Sequence, residues 1–214
     1  NVAVDFISKR PTDRMGLVVY SGESFTQCPI TTDHKVLLDA LSNLESGLIE
    51  DGTAIGMGLA TAADRLKDSE AKSKVVILLT DGENNQGIID PKTAAEIAAS
   101  LKMRVYTIGV GTEGMAPYPV KDRFGRTMLQ DVKVNIDEKL LEYIANLTGV
   151  SYYRATDGNK LNDIFGEIDR LEKNRIEVAS FKRYHEEFYP LAILALLFLV
   201  LEQLVNLIII KRIP

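Results

Sequence analysis

Short apolar runs alternate along this chain with longer segments in which apolar residues recur every three or four positions. Runs of about four to eight apolar residues between turn residues are typical of buried strands, and the wider spacing is typical of helices with one buried face. Strands that are apolar on both faces and alternate with helices indicate a parallel sheet covered on both sides. The pattern predicts strands at 15–20, 24–31, 75–80, 104–109 and 150–155, and helices at 55–67, 92–101, 137–148 and 159–173. Residues 2–8 are predicted as the end of a helix. Thr32 and Asp33 could cap a further helix, whose apolar face is formed by residues 36, 37, 40, 41 and 44.

The connection from Thr112 to Ile136 is longer than an ordinary link between a strand and a helix. Its segment VKDRFGRTML places one glycine between two stretches that suit short strands, which favours a β-hairpin. Insertions of this length are commonly functional or disordered. Here the pattern favours an ordered surface hairpin at about 112–136.

The C-terminal part of the chain is far more apolar than the rest. Residues 191–210 contain three polar side chains, Glu202, Gln203 and Asn206, and begin with eleven consecutive apolar residues. A helix of about twenty residues spans roughly 30 Å, which is the thickness of the hydrocarbon core of a bilayer. A buried core helix is the alternative, and so long an apolar run at the end of the chain disfavours it. We therefore expect a transmembrane helix at 190–210.

These patterns together predict an α/β domain followed by a membrane anchor. The fold class is a doubly wound, mostly parallel sheet with helices on both faces, plus a C-terminal transmembrane helix. The expected segments are an α/β domain at 1–175 with its hairpin insertion at about 112–136, a juxtamembrane segment at 176–189, the transmembrane helix at 190–210 and a short tail at 211–214.

Composition narrows the range of functions. The formal net charge of −5 gives no support for nucleic-acid binding, which requires a basic face. The single cysteine, Cys28, excludes an internal disulfide and a zinc site built from cysteines. The two histidines, His34 and His185, lie far apart in the sequence, which disfavours a catalytic site led by histidine.

The segment GVGTEG, residues 109–114, matches the dinucleotide-binding pattern GxGxxG and follows a predicted strand. That pattern acts through a helix whose N-terminus faces a pyrophosphate. Here Pro117 and Pro119 follow within a few residues, and two prolines so close together prevent such a helix from starting. The match is therefore accidental.

A buried strand in the segment VVILLTDGENNQG, residues 75–87, ends abruptly at Asp81. Asp-Gly is also a common turn pair, because glycine tolerates positive φ and aspartate hydrogen-bonds nearby backbone. The predicted helix at 55–67 is joined to this strand by a short link, so the two should run antiparallel. The N-terminus of the helix, with Thr53 just before it, is therefore expected level with Asp81.

Thr53 and Asp81 are thus predicted to share the edge of the sheet at which open α/β folds bind ligands. A threonine hydroxyl and an aspartate carboxylate are hard oxygen ligands, which suit Mg²⁺, Mn²⁺ or Ca²⁺. The residues alone leave a second interpretation open, in which Thr53 is an ordinary helix N-cap beside an unrelated turn aspartate.

Three segments, EDGTAIGMGLATA, VVILLTDGENNQG and RVYTIGVGT, together resemble the von Willebrand factor A domain. The metal-ion-dependent adhesion site of that family combines a DxSxS motif after the first strand with a threonine in the second loop and an aspartate in the third. Thr53 matches the threonine and Asp81 matches the aspartate, whereas no DxSxS occurs in this sequence. The resemblance implies that the first strand is absent from these residues, so that they hold only part of the metal site and the cation is expected in the complete protein.

Longer segments resemble one group within the family more closely. DRMGLVVYSGESFTQCPITTDHKVLLDAL, GTEGMAPYPV and the C-terminal KRIP resemble the bacterial aerotolerance-type membrane proteins, the BatA group. This resemblance implies protein partners of two kinds, MoxR-type AAA+ ATPases and sister von Willebrand A membrane proteins, with a role in envelope complex assembly or stress tolerance. It also implies a place in the bacterial inner (cytoplasmic) membrane, with the soluble domain on the extracytoplasmic side.

An adhesion site of this kind leaves the cation under-neutralised, with a coordination position that an aspartate or glutamate of a partner can fill. No nucleophile with an adjacent base is visible in the sequence, so a protein-interaction module is expected and not an enzyme. One alternative is a metal-dependent hydrolase, for which Glu83 is available near Asp81 but no second strand end offers an aspartate. Another is a surface adhesin, which would share the site and differ in its partner.

Overall fold

The computed structural model describes residues 2–44, 51–111, 114–121, 127–134, 136–181 and 188–209. The chain forms two compact units, residues 1–171 and residues 172–214. The elements of the first unit are α1 (Val2–Ser8), β1 (Met15–Tyr20), β2 (Ser24–Thr31), α2 (His34–Ser42), α3 (Ile55–Lys67), β3 (Val75–Thr80), α4 (Pro91–Ser100), β4 (Arg104–Val110), β5 (Gly114–Lys121), β6 (Thr127–Val134), α5 (Glu138–Leu147), β7 (Tyr152–Ala155) and α6 (Gly158–Phe181), the last of which continues into the second unit. The second unit also contains α7 (Phe188–Ile209).

The centre of the first unit is a parallel sheet of three strands in the spatial order β3, β4, β7. Val75 pairs with Arg104 between the first two strands, and Thr107 pairs with Tyr152 between the last two. Because the strands are parallel, their carboxyl ends meet at one edge of the sheet, which we call the rim. β1 and β2 form a separate antiparallel pair.

The pairing of strands is interrupted between β1 and β3 in the part of the chain described. An apolar cavity of about 460 Å³ lies there, and its lining includes Leu17 and Val18 of β1 as well as Val76 and Ile77 of β3. β1 pairs only with β2, and β3 only with β4, among the strands described. Each strand therefore keeps one edge without a strand partner in this part of the chain.

Helices cover both faces of the parallel sheet, as predicted. On one face, Val76 and Leu78 of β3 belong to a core shared with α3, α4 and α5. On the other face, Val75 and Ile77 belong to a core shared with α1 and α6. Successive residues of a strand point to opposite faces, so a strand that is covered on both sides is apolar throughout.

An aspartate side chain caps the N-terminus of four of the helices. Asp33 accepts backbone hydrogen bonds at the start of α2, Asp90 does so for α4, Asp137 for α5 and Asp157 for α6. Such a cap satisfies N–H groups that the first turn leaves without partners and interacts favourably with the helix dipole. The caps set the boundaries, and α4 accordingly begins at Pro91, one residue before its predicted start.

The last helix of the α/β unit is longer than predicted. α6 extends to Phe181 instead of ending near residue 173. No glycine or proline occurs between residues 167 and 189, so the sequence offers no residue that breaks the helix. α6 therefore continues without a break past residue 175.

The insertion after β4 contains the antiparallel pair of β5 and β6. This pair runs from Gly114 opposite Val134 to Lys121 opposite Thr127. The turn of the predicted hairpin, between these two strands, lies outside the described residues.

The second unit contains the segment predicted to cross a membrane. α7 is a helix of 22 residues, and large apolar side chains along it, from Ile193 to Val205, are exposed. In the part of the chain that the structure describes, no helix is both long and apolar enough to span a bilayer. The transmembrane prediction for 190–210 is therefore not supported, and the predicted tail at 211–214 lies outside the described residues.

Candidate functional site

Three loops meet at the rim. The loop after β1 contains Ser21, the loop before α3 contains Gly52 and Thr53, and the loop after β3 begins at Asp81. The N–H of Ala54 donates a 2.7 Å hydrogen bond to the carbonyl of Ser21, and Ser21 Oγ donates a 3.1 Å bond to the carbonyl of Gly52. These contacts join the end of β1 to the start of α3.

The turn that carries Asp81 is fixed by the last residue of β3, Thr80. The Thr80 hydroxyl accepts a 3.3 Å hydrogen bond from the N–H of Gly82 and donates a 3.2 Å bond to the carbonyl of the same residue. Asp81 is exposed. Its carboxylate is therefore held at the rim and remains open to an ion or to a partner.

Thr53 lies directly beside this turn. A Cβ atom added to Gly82 would lie 3.2 Å from Thr53 Oγ1, so the hydroxyl faces the backbone that follows Asp81. The structure thus brings both candidate ligands to one rim. The N-cap of α3 is Ala54, which makes no side-chain cap hydrogen bond, so the alternative interpretation of Thr53 as the helix N-cap is wrong.

Two asparagines of the loop after β3 bind the start of α3. Asn85 Oδ1 accepts a 2.9 Å hydrogen bond from the N–H of Thr53, and Asn84 Oδ1 accepts a 2.8 Å bond from the N–H of Ile55. The carbonyl of Thr53 accepts from the N–H of Asn85 at 3.0 Å and from the N–H of Gln86 at 3.3 Å. The loop that carries Asp81 and the loop that carries Thr53 are therefore bound to each other at four points.

Gly87 allows this loop to turn back along α3. Its φ of +93° is a conformation that residues with a side chain rarely adopt. A Cβ atom there would lie 2.9 Å from both Ala54 Cβ and Met57 Cγ. A larger residue at this position would push the loop away from the helix.

The pKa of Tyr20, at the end of β1, is affected by the negative charge of Asp81 at the rim. Its hydroxyl donates a 2.5 Å hydrogen bond to the carbonyl of Leu79. Burial raises the pKa of Tyr20 to about 12, a hydrogen bond with Thr80 partly opposes the shift, and the negative charge of Asp81 adds to it. The carboxylate of Asp81 is therefore close enough to β1 to disfavour a second negative charge there.

The raised pKa of Tyr20 gives a testable pH dependence. A tyrosine whose pKa is higher in the folded state stabilises the fold below its unfolded pKa, near 10, and loses that contribution as pH rises towards about 12. Tyrosinate absorbance is titrated against pH in wild type and in Tyr20→Phe. The absorbance present only in wild type, which comes from Tyr20, should appear near pH 12. The stability advantage of wild type over the variant should shrink across the same interval. A difference that ionises near pH 10 would contradict the burial of this hydroxyl.

The donors at the rim fit a hard divalent cation in type. A hydroxyl and a carboxylate are the oxygen ligands that Mg²⁺ and Ca²⁺ prefer, but such ions need about six or more ligands in all. No group of three or more His, Cys, Asp or Glu side chains suited to a metal occurs among the residues described. Thr53 and Asp81 would thus form part of a coordination sphere, and the further acids that a hydrolase needs near Asp81 are not clustered in this part of the chain.

The family follows from comparison with known proteins. Residues 1–167 match the von Willebrand factor type A domain, and the chain belongs to that family. It is 30% identical over 195 residues to an uncharacterised protein of Borreliella burgdorferi, a match that covers 90% of this chain and 57% of that protein. The chain therefore spans little more than half the length of this relative.

Solved structures agree with the resemblance to the aerotolerance-type group. BatB from Bacteroides thetaiotaomicron is 30% identical with a TM-score of 0.67, over 80% of this chain and 85% of that one. An aerotolerance-related membrane protein from Bacteroides fragilis is 28% identical with a TM-score of 0.62, over 79% and 85% of the two chains. Proximal thread matrix protein 1 from the mussel byssus shares the fold at 22% identity and a TM-score of 0.60, over 80% and 39% of the chains, and its own metal-ion-dependent adhesion motif is occupied by zinc.

Proposed function

We propose that this protein is a membrane-anchored interaction module that binds a carboxylate of a partner protein through a divalent cation at Thr53 and Asp81. One observation carries the proposal: the Thr53 hydroxyl faces the turn of Asp81 at an exposed rim, where a Cβ on Gly82 would lie 3.2 Å from Thr53 Oγ1. The rim is also the edge at which open α/β folds bind ligands.

A divalent cation, when bound, supplies a positive charge with a coordination position that a ligand from outside can fill. Thr53 would contribute a neutral hydroxyl oxygen, and Asp81 would contribute a carboxylate oxygen directly or through water. Because one of these two donors is uncharged, the site keeps a net attraction for a further carboxylate. This chemistry suits recognition of an acidic side chain better than activation of water, so we propose a binding protein and not an enzyme.

The cation is proposed to be Mg²⁺, with Mn²⁺ or Ca²⁺ as substitutes, since all three prefer oxygen ligands. Further ligands are proposed to come from a strand that the complete protein supplies. The cavity between β1 and β3 supports this proposal, because it is apolar and is lined by two strands that have no partner on the facing edge among the strands described.

The proposed partners are a MoxR-type AAA+ ATPase and sister von Willebrand A proteins, on the strength of the resemblance to the aerotolerance-type group. The proposed role is envelope complex assembly or stress tolerance. Residues 190–210 are proposed to anchor the protein in the bacterial inner membrane, with the α/β domain on the extracytoplasmic side. The eleven consecutive apolar residues that begin this segment and the likeness to an aerotolerance-related membrane protein support the anchor.

The proposed function is tested by measuring whether partner binding depends on the cation. The complete protein is immobilised, and binding of the MoxR-type ATPase or of a sister von Willebrand A protein is measured with Mg²⁺, after chelation, and after Mg²⁺ is restored. We expect binding to be lost on chelation and recovered with Mg²⁺. Binding that persists unchanged in excess chelator would refute a cation-mediated contact.

A further inference from the structure

The backbone of Thr53 is held from both sides by a single neighbouring residue. Asn85 Oδ1 accepts from the Thr53 N–H at 2.9 Å, and the Asn85 N–H donates to the Thr53 carbonyl at 3.0 Å. The two polar groups of the Thr53 backbone are therefore directed by a residue that lies four positions after Asp81. These two bonds couple the position of Thr53 to the loop that carries Asp81.

The first turn of α3 is bound in an unusual way for this chain. Asn84 Oδ1, which comes from another loop, accepts a 2.8 Å hydrogen bond from the N–H of Ile55. The N-cap, Ala54, has no side chain that could do so. The helices α2, α4, α5 and α6, by contrast, each begin with an aspartate of their own.

The side-chain amides of Asn84 and Asn85 accept hydrogen bonds from backbone N–H groups, as those aspartates do. They differ from the aspartates in being uncharged. An aspartate in either position could accept the same N–H bond, would make a charge-assisted one, and would interact favourably with the helix N-terminus. Local stability alone therefore favours aspartate here as well. The rim loops already carry the exposed carboxylates of Asp51, Asp81 and Glu83, and a further fixed negative charge beside Thr53 would add to the repulsion of an acidic partner.

We infer that Asn84 and Asn85 are positioning residues of the rim site, and that their neutral oxygens hold Thr53 in place while leaving the bound cation free to attract a carboxylate. This inference rests on the proposed function of Thr53 and Asp81. It assigns to the asparagines no direct contact with the cation. It attributes to the two asparagines that no further negative charge is added to a loop that already carries Asp81 and Glu83.

Two substitutions at one position separate the positioning role from the charge. Asn85→Ala removes the acceptor for the Thr53 N–H, and its Mn²⁺ affinity in the complete protein should fall about tenfold or more. Asn85→Asp keeps the acceptor, so Mn²⁺ should bind at least as tightly as in wild type. Binding of the MoxR-type ATPase should nevertheless fall about tenfold in Asn85→Asp, because the added charge opposes the partner's carboxylate. Asn146→Ala and Asn146→Asp, on the exposed face of α5, serve as matched controls.

Each result has a definite meaning. Mn²⁺ affinity that is unchanged in Asn85→Ala would overturn the positioning role, and full ATPase binding by Asn85→Asp would overturn the role of the neutral charge. If Asn85→Ala does not fold, Asn85→Ser, which retains a shorter acceptor, should give an intermediate Mn²⁺ affinity, and wild-type affinity there would also overturn the inference. Wild-type protein that binds no Mn²⁺ would refute the proposed function itself, whereas the outcomes above concern the asparagines alone.

Discussion

Replacing Gly56 by alanine should destabilise the α/β domain by about 2–3 kcal/mol or more, in the upper range for single substitutions. Gly56 lies in the first turn of α3 and is buried. A Cβ atom there would lie 2.0 Å from the carbonyl oxygen of Ile89 and 2.9 Å from the nitrogen of Pro91. Both are backbone atoms that cannot rotate away, so α3 or the start of α4 has to move. The free energy of unfolding from urea titration measures the effect.

Gly166→Ala is the matched control. Gly166 is an exposed glycine inside α6, and a Cβ atom there meets nothing within 4 Å. Because alanine is the better helix former, this change should stabilise the domain by about 0.5–1 kcal/mol. The two substitutions are chemically identical and share a helical backbone, so their opposite signs isolate the contact with residues 89–91. Stabilisation by Gly56→Ala would show that α3 does not pack against that backbone.

The boundaries of several elements could be predicted because their signals are local. β3 covers the predicted residues 75–80 and α3 covers the predicted residues 55–67. In β3 a run of β-branched and leucine residues ends at Asp81, and in α3 the apolar residues recur at helical spacing. The start of α4 at Pro91 was also encoded locally, since Asp90 followed by proline is a strong N-terminal signal.

The pairing of the strands could not be predicted from such signals. The apolar pattern of β1 suits a buried strand, but it does not state which strand lies beside it. The cavity between β1 and β3 depends on residues from four helices and three strands. Contacts over such distances in sequence leave no periodic signal.

The candidate site could be predicted only in part, because some of its contacts are local in sequence and others are not. The positions of Thr53 and Asp81 followed from the direction of one helix relative to one strand, which the short link between them determines. The roles of Asn84 and Asn85 did not follow, since their side chains bind backbone groups 29 and 32 positions away. The pattern Asp-Gly-Glu-Asn-Asn marks a polar loop, and only the fold shows which of its members hold the neighbouring loop.

Thr53→Ala and Asp81→Ala should each reduce the proposed Mg²⁺-dependent binding of a MoxR-type ATPase by about tenfold or more in the complete protein, as expected when a ligand of a shared metal is lost. Both residues lie at the rim and outside the buried cores. Stability should therefore change by no more than about 0.5 kcal/mol. Asp68→Ala, an exposed aspartate at the opposite end of α3, is the control and should bind the partner as wild type does.

The double variant distinguishes a shared cation from two separate contacts. If Thr53 and Asp81 bind the same ion, removing either one already weakens the whole coordination sphere, so the second change should cost much less than it does alone. Residual binding by the double variant should also be insensitive to chelator, because no cation-dependent part remains to be removed. A loss of binding free energy in the double variant equal to the sum of the two single losses would indicate independent contacts with the partner. Binding that stays chelator-sensitive in the double variant would place the cation elsewhere in the protein.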